Sequence, residues 1–344
     1  MPHVFIPLQA APPAQLPAAA RLLRCAGHSM GTTWQVQLYA SDPEQLAAWQ
    51  AGLQALLDQV VMQMSTWEPE SDLCRFNRAA AGSWQRLPDA LFEVLDYALY
   101  IARQSRGSFD PAAGRLVDLW GFGPAPRRDS VPDAAAIGNT MTGHGWRDLT
   151  LRRASREAWQ AGGIRLDLCA IAKGYAVDLL ARYLDQQGVP SYLVEVGGEL
   201  RGKGMKPDFS PWWVRLESPA ESAASGNKRS HLLALHGLSV ATSGDYRQYF
   251  EQDGRRYSHT IDPRTGYPVQ NTLAAVSVIH PDCMTADALA TAFTVMGIEA
   301  ARDYADAHRI AALFTERCPV AGASDNAADL FRESMSAALA AMLE

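Results

Sequence analysis

The chain has 344 residues, 48% of them hydrophobic and 20% charged, which is the composition of a globular protein with a sizeable core in one large or two ordinary domains. A formal net charge of −6 argues against general binding to nucleic acid or to an acidic membrane surface. No apolar run reaches the length of a transmembrane helix, and five scattered cysteines without zinc-ligand spacing indicate reduced thiols rather than a disulfide framework.

The opening "MPHVFIPLQAAPPAQLPAAARLLRC" is Pro/Ala-rich and lacks a charged start followed by a continuous apolar core, so it does not read as a signal peptide. Residues 1–22 are expected to be a loose extension and residues 23–344 the folded part. "TTWQVQLYA" alternates like a half-buried strand. A helix should run from about Pro43 through "LAAWQAGLQALLDQVVMQMS". "STWEPESDLCRFNRA" reads as a polar loop with a short helical piece. A second helix, "PDALFEVLDYALYIARQS", opens at Pro88-Asp89 and closes at Gly107.

"GSFDPAAGRLVDLWGFGP" reads as a loop, and residues 127–143 as a small helical excursion. "IRLDLCAIAKGYAVDLLARYLDQQG" should open as a strand and become a third helix that stops at Gly188. "SYLVEVGGELRGKG" is a strand ending in a Gly-Gly turn. "WWVRLESP" and "HLLALHG" should pair as a hairpin around the tip "AESAASGNKR". "LSVATSGDYRQYF" and "RRYSHTIDPRTGYPV" supply further strands and turns, and "LAAVSVIHP" leads into the helix "DCMTADALATAFTVMG". Helices at about Glu299 to His308 and Asp329 to Leu343 finish the chain. Hairpin-like pairs among the helices favour an α+β fold with mixed or antiparallel sheets, and there is no internal repeat.

The helix "DCMTADALATAFTVMG" is apolar almost all round, yet Asp287 and Thr291 stack on one face, four residues apart. Two readings stand. The carboxylate could favour the helix dipole while the hydroxyl bonds back to a carbonyl, or both could be hard oxygen ligands of Mg2+, which takes few protein ligands. "DLCAIAKGYAVD" places Asp167, Lys173 and Asp178 around a strand-to-helix junction, where helix N–H groups near Lys173 attract anions; the alternative is a solvated lysine and a carboxylate capping the helix. No phosphate loop and no dinucleotide-binding glycine fingerprint is present. His259 precedes the turn Asp262-Pro263-Arg264-Thr265-Gly266 and could accept a proton, although a lone histidine is more often structural. Trp67 and Trp120 sit in polar loops; tryptophan ordinarily packs in a core, and a loop tryptophan can stack on a planar ring.

Taken together and in this order, "SMGTTWQV", "MSTWEPESDLCRFN", "FDPAAGRLVDLWGFG", "DLCAIAKGYAVD", "YLVEVGGELRGKG", "VATSGDYRQYF", "SHTIDPRTGYPV" and "MTADALATAFTVMG" resemble the FAD:protein FMN transferase family, also known as ApbE. The words run from about Gly27 to Gly297. The resemblance implies an ApbE-like flavin transferase fold, as one domain or as two subdomains sharing a flavin cleft. It implies Mg2+-dependent transfer of the FMN half of FAD onto a Ser or Thr hydroxyl of an acceptor flavoprotein, with release of AMP. By motif, Met30, Trp67, Ser108, Phe109, Asp110, Asp167, Lys173 and His259 would contact FAD. The Ala170 carbonyl, Asp287 and Thr291 would hold the metal, and His259 and Asp287 would be the catalytic residues. An FAD pyrophosphatase and a non-catalytic FAD-binding protein are the alternatives. Many family members are exported lipoproteins; with neither a signal nor a lipid-attachment cysteine at its start, this chain is expected in the cytoplasm.

Overall fold

Strands taken up one after another along the chain lie side by side in that same order. The computed structural model describes residues 3–9, 12–143, 145–217, 219, 231–245, 248–318 and 330–343. Among the described residues, the main sheet has eight strands: β1 (Arg21–Ser29), β2 (Thr32–Ala40), β3 (Ser191–Val196), β4 (Glu199–Lys203), β5 (Leu238–Gly244), β6 (Leu273–His280), β7 (Ala311–Cys318) and β8 (Leu330–Met335). Every neighbouring pair is antiparallel. The chain leaves this meander for its longest excursion between β2 and β3, and most of the helices arise there.

The sheet buries both faces, and the period of two along each strand decides what goes where. Trp34, Val36 and Leu38 of β2, Tyr192, Val194 and Val196 of β3, and Ala312 and Phe314 of β7 face the helices. Leu193, Val240, Ile279 and Leu313 point the other way, onto a three-stranded sheet made by Val4–Phe5, Trp212–Arg215 and Leu232–Leu235. On the helical side lie α1 (Leu46–Met64), α2 (Asp89–Gln104), α3 (Ala172–Gln186), α4 (Cys283–Met296) and α5 (Ile298–His308). In α1 the buried residues Trp49, Leu53, Leu57, Val60 and Met64 recur every three or four positions, which is the stripe a helix needs to lie on a sheet. A third, smaller core gathers Leu116, Trp120, Ile137, Phe250 and Ile261 from the short helices Gly114–Leu119 and Ala134–Met141 and from two hairpins, Tyr249–Gln252 with Arg255–Ser258 and Ile261–Asp262 with Tyr267–Pro268.

The α+β class with antiparallel and mixed sheets is as expected, and α1 to α5 fall where the sequence places helices. Several elements differ. Residues 1–22 are not loose throughout: Val4–Phe5 pairs with Leu232–Leu233, Phe5 is fully buried in the second core, and β1 begins at Arg21. The expected helix at 329–343 is instead the strand β8 and then a short helix, Ala337–Ala340. The free edge of β7 recruits Leu330–Met335, and Ser336 ends the strand and caps the short helix; Asp329 itself lies outside the described residues. The loop read through "GRLVDL" contains the helix Gly114–Leu119.

The strand expected at "IRLDL" does not form. The Gln160 side-chain amide satisfies both the N–H (3.1 Å) and the C=O (3.1 Å) of Ile164. Asn77 does the same for Leu166, at 2.7 and 3.0 Å. Two side chains stand in for a neighbouring strand, and the segment is held extended beside the loops it must meet. Trp212–Arg215 and Leu232–Leu235 form the expected hairpin, whose "AESAASGNKR" tip lies outside the described residues, as do Tyr246 and Arg247.

Candidate functional site

Two tight turns at one end of the main sheet begin the site. Between β1 and β2 the two-residue loop Met30-Gly31 has φ of +52° and +71°, and between β3 and β4 Gly197-Gly198 has φ of +64° and +105°. Such primed hairpin turns follow the twist of the strands, and glycine supplies the positive φ without strain. Met30 does not; a long side chain held in the left-handed region beside a cavity is backbone strain kept at a site. Met30, Gly31, Gly197 and Glu199 all border a cavity of about 470 Å³, a size suited to a nucleotide-scale ligand.

All eleven residues singled out from the sequence line this one cavity: Met30, Trp67, Ser108, Phe109, Asp110, Asp167, Ala170, Lys173, His259, Asp287 and Thr291. They come from the turn between β1 and β2, from loops after α1 and α2, from the start of α3 and the segment before it, from the turn before the Ile261–Pro268 hairpin and from the middle of α4. The two loop tryptophans part company. Trp120 is fully buried, donates its indole N–H to the Gly266 carbonyl at 2.8 Å and stacks on Tyr257. Trp67 is 64% exposed and presents its ring to the cavity.

Helices α3 and α4 cap each other. The Gly174 amide is a first-turn donor with no acceptor inside its own helix, and it donates to Oδ2 of Asp287 at 2.9 Å. In return Asp178 of α3 accepts from the Met284 amide at the start of α4 at 2.9 Å and is paired with Arg201. Gly174 permits this approach: a β-carbon there would meet the Cys283 carbonyl group and would lie 2.8 Å from Asp287 Cβ. Asp287 is therefore not in the first turn of its own helix but caps a neighbouring one. Thr291 meets the Ser243 hydroxyl at 2.9 Å rather than turning back on its own helix.

The charges are unevenly distributed. Burial pushes the Asp287 carboxyl up, against the opposing pull of Lys173 and of the Gly174 amide. Glu199, 2% exposed, forms an ion pair with Lys173; burial pushes its carboxyl up to about 7, Lys173 opposes this and Asp287 adds to it. Asp110 is pushed up to about 6 by burial, against amide bonds from Ala112 (2.7 Å) and Trp146 (3.3 Å). His259 is held below the usual histidine range, chiefly by burial. Its Nδ1 lies 3.2 Å from the Gln248 carbonyl, an oxygen that can only accept, so the neutral ring carries its proton on Nδ1 and leaves Nε2 as the basic nitrogen.

Among the described residues, the Ser108 hydroxyl and Oε2 of Glu199 are buried side-chain polar atoms without a hydrogen-bond partner, and both residues border the cavity. Asp287, Thr291 and the Ala170 carbonyl offer only hard oxygens, the donor type that suits magnesium. Sequence reading passed over Glu199, taken as part of a glycine turn, and Thr242 and Ser243, taken as a strand end. The signal available for Glu199 was a carboxylate placed directly after a Gly-Gly hairpin turn.

An aromatic ring at the mouth, a lysine at a helix start, hard oxygen donors and a neutral histidine in one cavity suit a planar, anionic ligand of nucleotide size. The chain belongs to the ApbE family, whose profile matches residues 30–314. It is 38% identical over 296 residues to the FAD:protein FMN transferase of Vibrio cholerae, covering 86% of this chain and 87% of that protein, and 37% identical to the Klebsiella pneumoniae protein of the same name, covering 80% and 79%. Its structure is similar to that of the Pseudomonas stutzeri flavinyl transferase ApbE, with a TM-score of 0.84 at 36% identity over 94% of this chain and 97% of that one. The flavin transferase ApbE of Vibrio cholerae superposes with a TM-score of 0.82 at 33% identity, covering 94% and 100%.

Proposed function

We propose that this protein is an FAD:protein FMN transferase that moves the FMN half of FAD onto a Ser or Thr hydroxyl of an acceptor flavoprotein and releases AMP. The observation that carries this reading is the convergence of Trp67, Lys173, His259, Asp287 and Thr291 on one nucleotide-sized cavity, in a chain whose relatives bear that name.

In this reading Trp67 offers its exposed face to the flavin ring. Lys173, held by Glu199 at the first turn of α3, turns its ammonium toward the diphosphate. Asp287, Thr291 and the Ala170 carbonyl would hold Mg2+, which would supply charge neutralisation for the diphosphate. His259, neutral and basic at Nε2, takes the proton of the acceptor hydroxyl. The acceptor oxygen forms a bond to the phosphorus of the FMN half, the bond from that phosphorus to the bridging oxygen breaks, and AMP leaves with the electron pair. Main-chain and side-chain groups fix Lys173, His259, Asp287 and Thr291 from several elements, so the chemistry needed is mostly positioning.

Incubation with FAD, Mg2+ and candidate acceptor proteins, followed by intact-mass measurement, tests the proposal. An Mg2+-dependent gain of one FMN moiety on an acceptor, with AMP released in equal amount, supports it. AMP release that ignores the acceptor points to a pyrophosphatase, and FAD bound without turnover to a flavin-binding protein. His259→Ala retaining full transfer with FAD still bound removes the proton-acceptor role.

A further inference from the structure

The Gly197-Gly198 turn delivers Glu199 into the cavity wall, where one of its two oxygens is occupied and the other is not. Oε1 is paired with Lys173; Oε2 is buried with no hydrogen-bond partner among the described residues, on a side chain that is 2% exposed overall. A buried carboxylate oxygen without a donor is costly, and such a group marks a place where an ion or water belongs. Asp287, also buried, borders the same cavity and accepts the Gly174 amide at 2.9 Å. Two buried carboxylates and Lys173 thus border the one cavity. Unless a proton or a cation neutralises it, such a wall repels the anionic ligand that the rest of the cavity fits.

The geometry points to Glu199 as a further member of the cation site. Oε1 keeps Lys173 in place, while Oε2 supplies a second negative charge beside Asp287 and takes its missing partner from the cation or its hydration water. This inference rests on the reading of Asp287 and Thr291 as cation ligands, and it adds a residue from β4 that no spacing within α4 would reveal.

Binding of Mn2+ as a Mg2+ probe, followed by electron paramagnetic resonance on the full chain without nucleotide, tests it. Glu199→Gln keeps the shape and removes the charge, and its Mn2+ dissociation constant should rise about tenfold or more. Lys173→Gln should not weaken Mn2+, because it removes a positive charge from the same wall. Unchanged Mn2+ affinity in Glu199→Gln, with circular dichroism like that of the parent, overturns the inference and leaves Glu199 as a holder of Lys173 alone. Asp287→Ala separates the two levels: if it also binds Mn2+ like the parent, the cation reading itself has failed. Should the glutamine variant not fold, Glu199→Asp carries the test, since its carboxylate is drawn back by one methylene; a loss of about threefold or more supports the inference and an unchanged affinity overturns it.

Discussion

Replacing Gly174 with alanine sets two effects of opposite sign against each other. In an open helix the change stabilises by about 1 kcal/mol through helix propensity. Here the new β-carbon would lie 2.7 Å from the Cys283 carbonyl carbon and 2.8 Å from Asp287 Cβ, with the Cys283 oxygen nearer still. The carbonyl group is backbone and cannot swing aside, so α3 and α4 must separate. Overpacking of this kind costs about 1–3 kcal/mol. Separation also stretches the 2.9 Å bond from the Gly174 amide to Asp287, and a buried carboxylate losing a donor costs about 1 kcal/mol more. The clash and the lost bond outweigh propensity, leaving a net loss of about 1–3 kcal/mol. Urea unfolding of parent and Gly174→Ala gives the stability, and Mn2+ titration gives the position of Asp287. Stability equal to or above the parent, with unchanged Mn2+ affinity, would refute the close helix contact.

Trp67→Ala should leave stability within about 0.5 kcal/mol because the ring is 64% exposed, while the FAD dissociation constant, read from flavin fluorescence, rises about 3- to 10-fold; unchanged affinity contradicts the stacking role. Asp178→Ala strips the cap from Met284 and the partner from Arg201, and should cost about 2–4 kcal/mol in urea unfolding, whereas a loss below about 1 kcal/mol contradicts the reciprocal cap. Burial raises the Asp110 carboxyl from 3.8 to about 6, so between those values the folded protein keeps a proton that the unfolded chain has lost, and its stability falls as pH rises through that window. Asp110→Asn should flatten the decline by on the order of 3 kcal/mol, and identical pH slopes in the two proteins would contradict this.

The helices were readable because their apolar stripes are long, as in α1, where Trp49, Leu53, Leu57, Val60 and Met64 set the period. β7 was not, because "AALFTERC" is a continuous buried run without alternation, rich in residues that favour helix as readily as strand. β8 was misread for a related reason: "LFRESM" has helical propensity, and only pairing with the edge of β7 makes it a strand. The site residues were legible through their motifs, yet the motifs do not tell Trp67 from Trp120. Both are tryptophans in polar loops, and what separates them is the pair of hairpins that closes over Trp120 and leaves Trp67 uncovered. Glu199 was hidden because its surroundings, the ion pair with Lys173 and the charge of Asp287, come from residues far from it in sequence.

Helix α4 carries the oxygen donors, and both of its ends are tied to neighbouring elements. Asp178 on α3, the helix that bears Lys173, holds the amide of Met284 at its start. At its end, the Thr294 carbonyl accepts from Asn271 at 2.8 Å and the Val295 carbonyl from Arg264 at 3.2 Å. The Arg264 guanidinium also forks onto Asp262 with two bonds of 2.9 Å, in the turn three residues beyond His259. Tyr97 of α2 pins Thr285 at 2.6 Å. Lysine, carboxylate, hydroxyl and imidazole are thus positioned relative to one another by bonds that involve no ligand. For a reaction in which charge builds on a transferring phosphoryl group, donors fixed in advance are worth more than donors recruited on binding. Exchange of buried amide hydrogens in α4 should accordingly be slow without FAD and change little when it binds; strong protection acquired only with the nucleotide would mean that the site is assembled by its ligand.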